Sequence, residues 1–284
     1  MNVAFAPPAP VCATMQDRLV LGMPHLSLGG LSETWLLKEL GHRHWGLLAR
    51  LAGRAVPDFR DADGAPVYAA FCAVSVSGAA FGTLAEHDEL AISSELARLS
   101  RTQFASRYLL SCRGRRVGTV ELSSVFVRRF EAGRNRSIAR IALDLFPPPL
   151  PDSGLGTAAA LAARLRGGDW AEHFGFARTA PADGRTLTIN PCPSQDFNGA
   201  DFLYFTAFQA FVDRAEWDLL TPRLPLSTLA RDIVYYGNVE VGDRIVVELK
   251  AWRPEPGGLS HWCQLRRAVD GAVLADAFTR RRAG

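Results

Sequence analysis

The sequence predicts an α+β chain that builds one unit twice, each unit a curled antiparallel sheet around a central helix. Three observations carry this. "MPHLSLGGLSETWLLKEL" (23–40) and "CPSQDFNGADFLYFTAFQAF" (192–211) share a design: Pro24 is answered by Pro193, Gly29-Gly30 by Asn198-Gly199, and an apolar helix follows each. "FGTLAEHDELAISSELA" (81–97) lines up with "YYGNVEVGDRIVVELKA" (235–251), and Gly118 with Gly271. A repeat of about 150 residues is far too long for a solenoid and signals a duplicated domain. Finally, "FPPPLPDSG" (146–154) reads as a linker, because consecutive prolines stiffen a chain and cannot continue a sheet.

The elements follow in order. The stretch "MNVAFAPPAPVCATMQDR" has no early basic residue and a proline-broken apolar run, which predicts a loose arm and not a signal peptide. A strand near 18–23 stops at Pro24. The helix predicted over 31–52 is apolar on nearly every side ("WLLKELGHRHWGLLARLAG"), as a helix enclosed by a sheet would be. Strands are predicted at 66–76, 88–98, 105–112 and 117–129, the last two bracketing the tight turn "CRGRRVG". "LGTAAALAARLRGG", within 155–180, adds a short helix between the halves. The second half repeats the order, with a strand at 185–190, a helix at 199–214, and strands near 230–236, 243–252, 260–267 and 271–281. Its last hairpin turns at "AVDGAV", where Asp-Gly suits a type I′ turn. One strand, one long apolar helix and four antiparallel strands is the order of a hot-dog fold. Two such units make a double hot dog whose sheets pair edge to edge and protect strands otherwise exposed. The predicted units are 1–145 and 181–284, joined by a linker and short helix over 146–180.

At 284 residues with 48% hydrophobic and 21% charged side chains, the chain can fill a substantial core. No run approaches the roughly 18 apolar residues of a membrane span. Cys12, Cys72, Cys112, Cys192 and Cys263 are scattered and odd in number, which predicts reduced thiols in a cytoplasmic protein. The net charge is +3, yet arginines cluster at 113–116, 128–130, 134–136 and 280–282. These read either as solvated strand ends or as a patch for phosphates or an acidic partner. No stretch interleaves basic and aromatic residues as a nucleic-acid platform would.

"GMPHLSLGGLSETWLLKELGHRHW" and "DFNGADFLYFTAFQAFVDRAEW" resemble the bifunctional acyltransferase/decarboxylases of leinamycin-type polyketide biosynthesis, a double hot-dog family, and the likeness extends over roughly 18–280. The resemblance implies an enzyme that takes methylmalonyl from coenzyme A, decarboxylates it, and delivers propionyl to the phosphopantetheine arm of an acyl carrier protein. It implies acyl-CoA and the carrier protein as partners and allows a homodimer. It also implies an active-site tyrosine on the strand after the first helix, which Tyr68 in "DGAPVYAAF" matches. No metal or redox cofactor is expected, since the histidines show no recognisable ligand spacing.

Decarboxylating a malonyl thioester leaves an enolate, and free backbone N–H groups at a helix N-terminus stabilise such charge. Gly29, Gly30 and Gly199 would let the thioester approach the backbone, with Leu31 and Ser32 beside it and Asn198 at the second helix. The same residues also suit a plain strand-to-helix turn capped by Ser32 or Asp201. Tyr68 could carry the acyl group or donate a hydrogen bond; a phenol of pKa near 10 makes donation the easier role. His25 could contact the substrate carboxylate or help protonate the enolate, or be structural. Asp196 and Asn198 match the acid and asparagine that precede the helix in hot-dog thioesterases, but the histidine of the fuller pattern is missing. Asp196 equally suits an Asx-type turn, and Glu33 suits the first helical turn.

Other functions stay open. "HLSLG" (25–29) starts the His-x-x-x-Gly pattern of double hot-dog dehydratases, yet their proline is Thr34 here and no second-half partner motif appears. An acyl thioesterase using Asp196 and water is a further alternative, as is an inert acyl-binding module.

Overall fold

The computed structural model describes residues 12–150, 153–222 and 225–283. The first half runs β1 (Cys12–Val20), α1 (Glu33–Leu51), β2 (Val67–Ser77), β3 (Glu89–Arg98), β4 (Gln103–Cys112), β5 (Arg115–Arg129) and β6 (Ile138–Arg140). After α2 (Thr157–Gly167) come β7 (Thr186–Ile189), α3 (Phe205–Leu220), β8 (Leu226–Tyr235), β9 (Ile245–Glu255), β10 (Gly258–Arg267) and β11 (Val273–Ala283). One antiparallel sheet runs β1-β3-β4-β5-β2-β8-β11-β10-β9-β7, with β6 added beside β5. The order reads the same from either end, so the fold is a double hot dog with a pseudo-twofold axis between β2 and β8.

That seam is short. β2 pairs with β5 from Val67 to Ser77 but with β8 only from Ala73 to Val76, opposite Val234 to Arg231. Residues 67–72 of β2 therefore leave one edge unpaired. The other face of the seam is closed by α2: Ala158, Leu161, Ala162 and Leu165 pack on Ala73 and Val234.

Each helix lies inside the curl of its own sheet. α1 is capped by Ser32, whose side-chain oxygen accepts from the Trp35 N–H at 3.3 Å. Leu36, Leu37, Leu40, Leu47, Leu48 and Leu51 are all buried, so apolar residues occur on more than one face as the sequence requires. Truncating one of these leucines to alanine would cost about 2–5 kcal/mol. Where α1 crosses α3, Gly41 makes the contact: a Cβ there would sit 2.8 Å from the Tyr204 hydroxyl and 2.9 Å from the Phe205 ring.

Several boundaries differ from expectation. The second helix starts at Phe205, six residues later than predicted, because residues 198–204 fold into a side-chain-stabilised turn first. Asp201 lies in that turn with φ of 61° and is not the cap; Tyr204 holds that position. Residues 12–20 are not a loose arm but an edge strand paired along its whole length with β3. An edge strand buries little, so its alternation is weak in the sequence. Residues 1–11, and positions 151–152 of the linker, lie outside the described residues. In the last hairpin only Gly271 of the Asp270-Gly271 pair has positive φ, which excludes type I′. Both φ are positive instead in the two-residue turns Arg113-Gly114 and Phe174-Gly175. Among the described residues, no helix is long and apolar enough to cross a membrane.

Candidate functional site

The two helix entrances face opposite sides of the seam and have diverged in chemistry. At the entrance of α1, Glu33 is buried under β8. Arg231, with 0% side-chain exposure, lies 3.2 Å from Glu33 and 2.6 Å from Asp213. Arg281 contacts Asp213 and Glu216, the latter at 3.0 Å, and Glu216 meets His261 at 2.8 Å. Thr228 donates its hydroxyl to Glu33, and Thr34 to Gln209. Burial raises the Glu216 carboxyl, but Arg281, His261 and Arg231 outweigh it and hold it at about 2. For Glu33 burial prevails over Arg231, so its carboxyl is raised. What remains is a polar void of about 100 Å³.

His25, Gly29, Gly30, Leu31 and Ser32 all belong to this closed entrance. The His25 Nδ1 accepts the Gly22 N–H at 2.8 Å and its ring packs on Trp35. Gly30 has φ of 96°, and a Cβ on it would lie 2.2 Å from the Phe81 carbonyl oxygen. Gly29 abuts the Leu226 carbonyl, and Leu31 is in the core. The glycines thus admit neighbouring backbone, and the void left beside Gly29, Leu31 and Ser32 is about 100 Å³.

The entrance of α3 is open. A cavity of about 460 Å³ lies where β2 lacks a partner strand, bounded by the start of α3 and by residues 235–238. Tyr68, Ala70 and Cys72 form one wall with Val125 and Val127; Trp45, Phe71, Phe205 and Phe208 form the inner end. The Phe71 and Phe205 rings are 4.1 Å apart. Tyr68 meets the edge of Phe202 at 5.4 Å.

Polar groups converge on this cavity. The Asn198 side-chain oxygen accepts from the N–H groups of Ala200 (3.0 Å) and Phe202 (3.2 Å). Asn238 does the same for Leu203 (3.3 Å) and Val239 (2.8 Å). With both oxygens occupied by donors, each Nδ2 is a donor in the lining without a described protein acceptor. Unlike α1, α3 has no side-chain cap; the Ala207 N–H bonds the Tyr204 carbonyl, and the N–H of the lining residue Phe205 adds to the set. Asp196 accepts the Cys192 N–H at 2.7 Å and is buried outside the lining, while Gly199 also does not line the cavity. Asp196 acts as the local turn group.

A clamp from the first half holds these loops. Arg129 donates to the Asn135 side chain and the Ala200 carbonyl, and its guanidinium lies 4.2 Å from the Phe202 ring centre. Asn135, only 2% exposed, donates from Nδ2 to the carbonyls of Asp201 and Val239. The asparagine-bearing loops are thereby tied to each other across the halves. Arg129 is visible in the sequence only as part of the 128–130 arginine cluster, and the local signal of Asn135 and Asn238 is turn chemistry, as in "YYGN".

The expected arginine patches are mostly committed elsewhere. Arg281 pairs with Asp213 and Glu216, Arg280 lies 3.7 Å from Glu255, and Arg113 pairs with Asp88. All five cysteines are free thiols.

No protein-family model matches the sequence, and none of the curated proteins does. Solved structures do. A 12:0-ACP thioesterase from Umbellularia californica superposes with a TM-score of 0.67 at 11% identity, covering 95% of this chain and 94% of that one. An acyl-ACP thioesterase from Bacteroides thetaiotaomicron gives 0.58 at 10% identity, covering 95% and 98%. At that identity the shared property is the fold, and over nearly its whole length this chain is a double hot dog.

Proposed function

We propose that the open cavity binds a malonyl-type acyl thioester, releases its free carboxylate as carbon dioxide, and passes the remaining acyl group to the phosphopantetheine thiol of an acyl carrier protein. The supporting observation is the lining, which has donors from Asn198, Asn238, Tyr68 and the α3 terminus but, among the described residues, no carboxylate or imidazole. Hydrolysis needs a base to activate water. Decarboxylation supplies its own electron pair: the bond to the carboxylate carbon breaks, carbon dioxide leaves, and the pair moves onto the thioester as an enolate. N–H donors stabilise that oxygen, and the aromatic inner wall excludes the water that would weaken them. A proton then returns to the α-carbon from water or the Tyr68 hydroxyl. In the transfer step the carrier thiol adds to the carbonyl, coenzyme A leaves as the thiol, and the thiol proton passes between the two sulfurs.

Hydrolysis is the second reading, favoured because the superposable structures are described as acyl-ACP thioesterases and share this fold along its length. Incubation with methylmalonyl-CoA and a phosphopantetheinylated carrier protein separates the two. Carbon dioxide with a propionyl-carrier mass supports decarboxylative transfer. Free methylmalonate or propionate without carrier loading sinks it in favour of hydrolysis.

A further inference from the structure

Tyr68, Val127 and Arg140 stand in one row across β2, β5 and β6, each directly opposite the next in register. Directly opposed residues share a face, and strands lie about 4.8 Å apart, which places the Arg140 Cα about 10 Å from that of Tyr68. Arg140 is exposed at the cavity's rim. Its arginine neighbours are engaged: Arg128 with Asp61 and Asp63, Arg134 with Glu131, Arg136 with Glu240, and Arg129 with the Ala200 carbonyl. Arg166, the other charged lining residue, donates to the Tyr235 and Cys72 carbonyls. Arg140 makes no ion pair or hydrogen bond with any described residue, so its five donors face the opening uncommitted.

We propose that Arg140 binds the 4′-phosphate of the pantetheine arm, the group that coenzyme A and a loaded carrier protein have in common. This rests on the thioester reading of the cavity. A thioester held at Asn198 and Asn238 projects its arm outward past Tyr68, and the first fixed positive charge not already paired along that row is Arg140. A planar fork suits the two non-bridging oxygens of the singly charged phosphate that both molecules carry, through two parallel hydrogen bonds. The selectivity therefore sits at the rim, separate from the donors that act on the carbonyl.

Calorimetric titration with 4′-phosphopantetheine and with pantetheine tests this without any turnover. The intact protein should prefer the phosphorylated compound by at least about tenfold. Arg140→Ala should bring that ratio close to one, and Arg140→Lys should keep part of it. Coenzyme A and a phosphopantetheinylated carrier protein should lose affinity in parallel. A ratio unchanged in Arg140→Ala overturns the assignment while leaving the thioester cavity standing. Loss confined to coenzyme A overturns it too, by moving the contact to the adenosine phosphates. If the intact protein binds neither pantetheine compound, the thioester reading fails along with it.

Discussion

Asn198 and Asn238 reach the cavity from different loops in the same chemical state, each side-chain oxygen filled by two backbone N–H groups and each Nδ2 left as a donor in the lining. Asn198→Asp and Asn238→Asp keep the two accepted bonds and the shape but replace the free donor with an acceptor. Each should lower kcat by about 10²–10³-fold with little change in thermal stability. Full activity in either folded variant would remove that amide from the donor set.

Tyr68→Phe removes one hydroxyl from the wall and little else. Turnover should fall at least about tenfold, or about 1.4 kcal/mol of transition-state stabilisation. If a well-folded variant turns over normally, the hydroxyl is a bystander.

At the closed entrance, Arg231→Met leaves Glu33 without its cation, while Asp213 keeps Arg281. Urea unfolding should show a loss of about 3–5 kcal/mol. Adding Glu33→Gln should recover part of it by removing one orphaned carboxylate, while the open cavity keeps its affinity for pantetheine. Additive losses in the double variant would mean that the pair is not coupled.

His44 lies inside α1 between Ser106 (2.7 Å) and Ser124 (2.8 Å), and burial lowers its pKa from 6.5 to about 3. The unfolded chain takes up a proton near 6.5 and the folded one does not, so acid favours unfolding. Between pH 7.5 and 5 the protein should lose about 2 kcal/mol of stability from this group alone. His44→Gln should flatten that part of the urea-midpoint profile; an unchanged slope would assign the acid sensitivity elsewhere.

Topology was readable because duplication writes the element order twice, and a helix apolar on most sides must be enclosed to keep those sides from water. Boundaries were less so. The "DFNGADFLY" segment looks like the head of a helix, yet Asn198 captures two N–H groups and delays the start to Phe205. Tyr68 and Asn198 could be placed on one cavity only through pairing between the halves. His25 and Gly29-Gly30 look equally suited to substrate in sequence. What closes their entrance is Asp213, Arg231 and Arg281, some 180 to 250 residues downstream, where isolated charges carry no local pattern.

The plug at α1 and the opening at α3 can coexist only because one chain spans the pseudo-twofold seam. In an association of two identical hot dogs every substitution lands at both entrances, so a buried ion pair that sealed one would seal both. Fusion through α2 lifts that constraint and lets one entrance become a structural rivet. Its quantitative signature is stoichiometric: a tight thioester analogue should saturate at one equivalent per chain, with a single-site isotherm.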